Sequence, residues 1–388
     1  MTGASADETL VREKLGALVR EHGTRAQRDP AAFWGAQFDA GLAWVDFPMG
    51  LGGLAVRPAL QFLVEERLET EGLPTNKTRN PIGVGVAAST IGVHGTDEQK
   101  QRHLRTLFIC DEVWCQLYSE ESAGSDLASV ETLGQRRADD WEINGTKLWV
   151  TLAHAAKWGL LLARTDRDAP RHAGLTCFIV DMETDGVAIT PVRQMTGQAE
   201  LNQVTLTDVR VPDAQRVGEA GRGWHVAMTT LARERAWLGN RTAVRGSGPI
   251  GEAVRLWQDR PDKDPVLRDR LMQLWVEAEV VRLLSRRVAG LVPPVAAEPA
   301  RPPGPAGAAA KLASAELNQR IYDFCLTLLG PSGMLYGSYE MDRPTEVGLE
   351  GTGVHRAFLR SRGATLEGGS SEIMRTILGE RVLGFPRS

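Results

Sequence analysis

The hydrophobic period along these 388 residues changes twice, from helix to strand and back to helix. In the first zone, up to about Cys110, Leu10, Val11, Leu15, Leu18 and Val19 recur at helical spacing, and a second amphipathic run spans 60–68. Thr96 or Asp97 is placed to cap a helix running over 99–107. Over 113–213 short strand-like runs take over, at 159–163, 175–180, 187–192 and 203–211. Asn144-Gly145, set between alternating segments of 141–151, predicts a hairpin turn. Strands so spaced, with no long helix between them, predict a small antiparallel sandwich or barrel. Helical spacing returns over 224–245, 265–287, 308–329, 354–362 and 370–383, and 291–307 reads as a surface loop rich in proline, alanine and glycine. The expectation is an α+β chain in three units: a helical domain (1–112), an antiparallel β-domain (113–220) and a C-terminal helical bundle (221–388).

Several function classes are excluded by what is missing. A net charge of −4 offers no cationic field for nucleic acid or an anionic membrane. Cys110, Cys115, Cys177 and Cys325 lie too far apart for a metal-binding pair of pairs and lack histidines nearby, so buried free thiols and no metal are expected. The first 13 residues carry acidic side chains and no apolar run, which predicts no secretory signal. Nothing approaches the roughly 18 apolar residues of a membrane span. A cytoplasmic protein is expected.

Three motifs then carry chemistry. Ser119-Glu120-Glu121-Ser122-Ala123-Gly124-Ser125-Asp126 resembles the first signature of the acyl-CoA dehydrogenases, usually Thr/Ser-Glu-Pro-Gly-Ala-Gly-Ser-Asp. Asn144-Gly145-Thr146-Lys147, followed by Trp149-Val150-Thr151, is similar to the family's NGxKxWxT strand pair. Gly368 to Arg375, continuing through Glu380-Arg381-Val382-Leu383-Gly384, resembles its C-terminal signature. Their order, with helix–β–helix patterning around them, is far more specific than any one alone. The resemblance implies a helical domain, a middle β-domain and a four-helix bundle, with FAD at their junction. It also implies an acyl-CoA or carrier-bound acyl thioester substrate, an electron-transfer flavoprotein as acceptor, and a homodimer or homotetramer.

A flavin ring needs a flat neighbour, polar groups at its rim and donors for its pyrophosphate. Trp149 and Thr151 stand two apart on a strand and so share a face; the resemblance assigns the indole to flank the ring and the hydroxyl to its N5 edge. A core tryptophan and a strand threonine are the plain alternative. The small-sided 119–126 loop lets backbone and hydroxyls approach a ligand. By resemblance Ser119 meets the flavin rim, Ser125 the pyrophosphate or substrate, and Gln116 also serves the cofactor. Ser370 and Glu372 open a helix whose positive end suits the adenosine diphosphate or ribityl portion, or Ser370 simply caps it. This sequence departs from the family at Glu121-Ser122, which replace Pro-Gly. At 258–262 the usual Arg-x-x-Phe-Gly is reduced to Arg260, and at 327–331 Gln-x-x-Gly-Gly is absent.

Desaturation needs a carboxylate near the substrate α-carbon, its pKa raised by burial, and donors on the thioester carbonyl, each worth about 3 kcal/mol. Where many family members carry the base, this chain has Gly368, with Glu367 one residue earlier. A second branch places its glutamate on the helix after the β-domain, directly before an arginine, and has glycine at the other position. Arg233-Glu234-Arg235 fits that branch, so Glu234 is the expected base, Arg235 shapes the substrate entrance, and Gly368 offers its N–H to the thioester. By periodicity alone, Glu234 and Arg235 would be an ordinary helix-surface ion pair. His154 is expected to be a satisfied surface or core histidine. Two other readings compete: a flavin oxidase or monooxygenase on the same fold, and a flavin-poor subunit supporting a catalytic homologue.

Overall fold

The computed structural model describes residues 5–239, 244–297, 305–347 and 353–386. The first unit is helical: α1 (Ala6–His22), α2 (Pro30–Asp39), α3 (Gln61–Thr70), α4 (Ala88–His94) and α5 (Asp97–Phe108). Val11, Leu15 and Leu18 turn the inner face of α1 into the core, while Leu10 stays exposed. Thr96 proves to be the α5 cap: its hydroxyl accepts from Gln99 N–H while the Gln99 amide oxygen accepts from Thr96 N–H. Such a reciprocal cap stabilises a helix start by about 1 kcal/mol. One turn of π-helix, Gly83–Ala87, runs directly into α4.

The middle unit holds β1 (Trp114–Leu117), β2 (Leu133–Arg137), β3 (Asp140–Thr151), β4 (Trp158–Arg164), β5 (Leu175–Asp181), β6 (Val187–Val192), β7 (Leu201–Pro212) and β8 (Arg216–Val217). They form one open sheet in the order β6-β7-β3-β2-β4-β5-β8, with β1 also paired to β4. Most pairings in the sheet are antiparallel, as expected, but β1 runs parallel to β4. A parallel pair requires a long crossover, and the chain from Ser119 through the β2–β3 hairpin supplies it.

The hairpin turn is also not where Asn-Gly placed it. β3 passes straight through Asn144-Gly145, and the turn lies between Arg137 and Asp140, with Ala138 at φ 53°. Asn144 instead binds Asp208, through its side-chain oxygen to the backbone N–H and its amide to the carboxylate. Gly145 is needed for close approach, since an added Cβ would lie 2.4 Å from Thr132 Oγ1.

Strand alternation divides the sheet's two faces. Trp114, Tyr118, Leu160, Leu162, Cys177 and Ile179 join the core of the N-terminal helices. Cys115, Leu117, Leu161, Phe178 and Val180 join a second core with β3 and β7 residues. Gln116 therefore shares the face that looks toward the helices, where the site forms.

The third unit is helical again: α6 (Gly223–Gly239), α7 (Pro249–Asp259), α8 (Pro265–Ala289), α9 (Ala306–Leu329), α10 (Val354–Ser361) and α11 (Ser371–Arg381). α9 packs against all five others. α6 stops short of the predicted Arg245; positions 240–243 lie outside the described residues, and Arg245 stands in the turn that leads through Gly246 (φ 75°) to α7. Of the expected loop at 291–307, residues 298–304 lie outside the described residues. The preceding part is pinned rather than free at the surface: Arg233 donates to Pro293 O at 2.9 Å and Val295 N–H to Asp46 at 3.1 Å.

Candidate active site

β3 carries a bulge where its strand motif ends. Lys147 pairs with Val204 and Val150 with Asn202, so three steps on β3 match two on β7. The extra residue is taken up at Trp149, whose φ is 62°. Val150 is buried at 1% exposure while the Trp149 indole is 56% exposed. Trp149 and Thr151 thus both turn away from Val150, but Trp149 does so through a left-handed kink rather than through simple pleating.

The bulge is held to the 119–126 loop by a buried ion pair. Leu148 N–H donates to Ser119 O at 2.8 Å. Lys147, with no exposed surface, donates to Tyr118 O at 3.0 Å, Leu162 O at 2.8 Å and Glu120 Oε1 at 2.8 Å. Glu120 accepts the N–H groups of Glu131 and Thr132 at 2.7 and 3.0 Å. Burial lowers the Lys147 pKa to about 8, against the pull of Glu120. Burial alone would raise Glu120, but the Lys147 charge and its hydrogen bonds hold it below the usual carboxylate range. With all its acceptors filled, the pair keeps its charges and fixes the loop. Both residues sit inside the recognised motifs, yet nothing local marks them as partners.

On α6, Glu234 is partly buried, and Gln116 Nε2 donates to its Oε2 at 3.5 Å. Burial raises the Glu234 pKa to about 7; Arg235 and the Gln116 hydrogen bond oppose the shift, and Glu367 adds to it. Arg235 Nε reaches Gly368 O at 3.4 Å. Gly368 has φ 64°, and the N–H groups of Gly368 and Gly369 have no acceptor among the described residues. Glu367 is held elsewhere: Arg360 Nη2 donates to it at 2.8 Å, and Arg360 Nε to the buried Glu200 at 2.8 Å. Lys311, Arg360 and Glu200 lie outside the three sequence motifs. Among them only Lys311, a lone charge after a run of small residues, carries a local signal.

The structure brings Glu234, Arg235, Gly368 and Gln116 together. Ser119 sits partly buried beside the bulge. Ser125 and Glu372 are exposed and share no hydrogen bond with the Glu234 group, and Ser370 caps α11 by accepting from Ile373 N–H at 3.3 Å. His154 is satisfied by Asn202 and by Pro344 O. All four cysteines are buried and unpaired, and no metal-binding cluster exists among the described residues. Among those residues, too, no helix is long and apolar enough to cross a membrane.

The outward indole, the adjacent Thr151 and the loop fixed by Lys147 fit the ring of a flavin, and the capped start of α11 fits its anionic end. Arg260 does not fit a cross-subunit pyrophosphate role. Its guanidinium turns inward onto Leu328 O.

Sequence profiles of the acyl-CoA dehydrogenase N-terminal, middle and C-terminal domains match residues 5–108, 115–209 and 221–383. Acyl-CoA dehydrogenase IpdE1 of Mycobacterium tuberculosis is 34% identical over 98% of this chain and 94% of its own. Acyl-CoA dehydrogenase FadE34 of the same organism is 36% identical over 90% of this chain, which spans only 45% of that longer protein. Among solved structures, the ChsE4–ChsE5 complex of M. tuberculosis superposes with a TM-score of 0.74 at 26% identity, covering 100% of this chain and 99% of that one. Butyryl-CoA dehydrogenase of Megasphaera elsdenii shares the fold, with a TM-score of 0.72 at 19% identity, over 99% of this chain and 100% of its own.

Proposed function

The chain belongs to the acyl-CoA dehydrogenase family, and from that membership we propose that it is an FAD-dependent oxidoreductase that desaturates an acyl thioester, with Glu234 as the base. The observation that carries this reading is the contrast between two glutamates. Glu234, bonded by Gln116 and next to the Arg235 that reaches Gly368 O, has its pKa raised by burial to about 7, while Glu367 accepts from Arg360. A carboxylate so poised matches the working range of a general base near neutral pH.

In this reading Glu234 takes the substrate α-proton, and the electron pair left behind forms the new carbon–carbon double bond. Gly368 N–H donates to the thioester carbonyl as negative charge develops there. Gln116 orients the base through its amide NH2, and its amide oxygen, without a partner among the described residues, is available to the cofactor. Trp149, Thr151 and Ser119 would hold the flavin ring, and Ser125, Ser370 and Glu372 would serve its phosphate and ribityl portions. Bound FAD supplies the acceptor for the β-hydride.

The test is the pH dependence of flavin reduction by acyl-CoA without air. The rate over KM is expected to fall below an apparent pKa of about 7, because only the carboxylate form accepts the proton. A profile flat down to about pH 5 would remove Glu234 from this role.

The assembly has three indications. Met272, Val276, Val280 and Leu283 form an exposed apolar stripe along α8, which is a surface for another chain. The inward turn of Arg260 and the likeness to a two-component complex favour a homologous, non-identical chain as the neighbour that completes the FAD site. Co-purification with such a homologue is expected to raise bound FAD severalfold over the chain alone, measured by absorbance. A homo-oligomer retaining one FAD per chain through dialysis would contradict this.

A further inference from the structure

Lys311 lies in the first turns of α9, after the small residues Gly307 to Ala310. It is 2% exposed, and its ammonium donates to Gly369 O at 2.5 Å. From α6, Arg235 reaches the carbonyl one residue earlier, that of Gly368. Both glycines have positive φ, 64° and 97°. A Cβ at Gly369 would lie 2.6 Å from Met374 Cε. Two consecutive carbonyls therefore point at two cations carried by different helices. In a planar trans peptide the C=O of one residue and the N–H of the next point in opposite directions, so holding these carbonyls orients the Gly369 and Ser370 N–H groups directly and restrains the Gly368 N–H only through the turn they share.

An ammonium placed in so dry a position needs compensating charge. Burial lowers the Lys311 pKa, and the carboxylates of Glu367 and Glu234 work against that shift while Arg235 adds to it. A lysine serving only to anchor α9 would need the carbonyl contact but not two carboxylates around it, one of them the base of the proposed reaction.

We propose that Lys311 is a positioning residue for desaturation: it clamps the Gly368-Gly369 turn over the substrate and acts as counter-charge to the base. This rests on the reading of Glu234 given above. The groups facing Glu234 are Arg235 on α6, Gln116 on β1, Tyr118 just after β1, Lys311 on α9 and Glu367 ahead of α11. Tyr118 is kept neutral by burial. Arg235 and Lys311 favour the Glu234 carboxylate and Glu367 disfavours it, so removing the Lys311 charge raises the Glu234 pKa.

The experiment compares the native holoenzyme with Lys311→Met and Lys311→Arg at matched flavin content. The Glu234 carboxyl is titrated by infrared difference spectroscopy, its band assigned by its loss in Glu234→Gln, alongside the pH profile of flavin reduction. Lys311→Met is expected to move both upward by roughly half a pH unit or more. It should lower kcat about tenfold with KM nearly unchanged, and Lys311→Arg should restore most of both. Should Lys311→Met fail to fold, Lys311→Gln, which keeps a donor without charge, carries the same titration. An unmoved titration and profile in the uncharged variant would reduce Lys311 to a helix anchor and overturn the proposal. Failure of the underlying reading looks different: Glu234→Gln would still reduce flavin, whatever the titration did.

Discussion

Glu234→Gln is expected to slow anaerobic flavin reduction by acyl-CoA about 10²–10⁴-fold, the range associated with loss of a positioned general base. The amide keeps the shape of the side chain and can still meet Gln116, so FAD content and substrate binding should stay near native. Stability should move the other way. A glutamate whose pKa rises to about 7 on folding holds its charge in the native state at a cost of roughly 3 kcal/mol. That penalty is absent below the unfolded-state pKa, grows as pH rises toward 7, and is complete above it. The neutral amide removes it, so at pH 8 the variant should unfold no more easily than the native protein. Stopped-flow reduction and denaturant titration measure the two effects. A variant that is both unstable and slow would point to a structural carboxylate. The parallel Glu367→Gln should retain the reaction, since Glu367 is bound to Arg360.

Lys147→Met should lower folding stability by about 3–5 kcal/mol, because it leaves Glu120 buried with an uncompensated charge. Lys147 has no exposed surface and the Glu120 side chain is 8% exposed, so solvent cannot replace the lost partner. The damage should also spread to function. The pair ties the Ser119 loop to the bulge that turns Trp149 outward, so FAD affinity should fall with stability. The double variant Lys147→Met/Glu120→Gln removes the stranded charge and should recover much of the loss, as replaced buried pairs do. Urea unfolding of the single and double variants measures this. A single variant within about 1 kcal/mol of native would mean the loop does not depend on the pair.

Some of this molecule is legible in one dimension. The change of hydrophobic period marks the helix–β–helix order because each element's inner face repeats at its own spacing. The reciprocal exchange of glutamate and glycine, a sequence pattern, points to Glu234, Arg235 and Gly368, which the fold brings close together. What escaped depends on contacts between distant segments. Asn144-Gly145 carries the strongest local turn signal in the chain, yet Asp208 and Thr132, brought in by tertiary pairing, use both residues inside a continuous strand. The outward turn of Trp149 depends on a register shift against β7 that no residue type announces. Lys147 meets Glu120 across 27 positions, and Lys311 meets Gly369 across 58. Arg360 lies close to Glu367 in sequence, but its link to Glu200 spans 160 positions. Buried charges are placed by such long-range pairings, so composition and spacing give little notice of them.

The central claim is that one carboxylate on α6 removes the proton beside the thioester. Solvent exchange reads that step without requiring turnover: the holoenzyme is incubated in D2O with an acyl-CoA analogue that cannot lose its β-hydride, and deuterium at the α-carbon is followed by mass spectrometry. The native protein and Glu367→Gln should incorporate deuterium at similar rates, and Glu234→Gln should incorporate almost none. Exchange at the native rate in Glu234→Gln, or its loss in Glu367→Gln alone, would contradict the account.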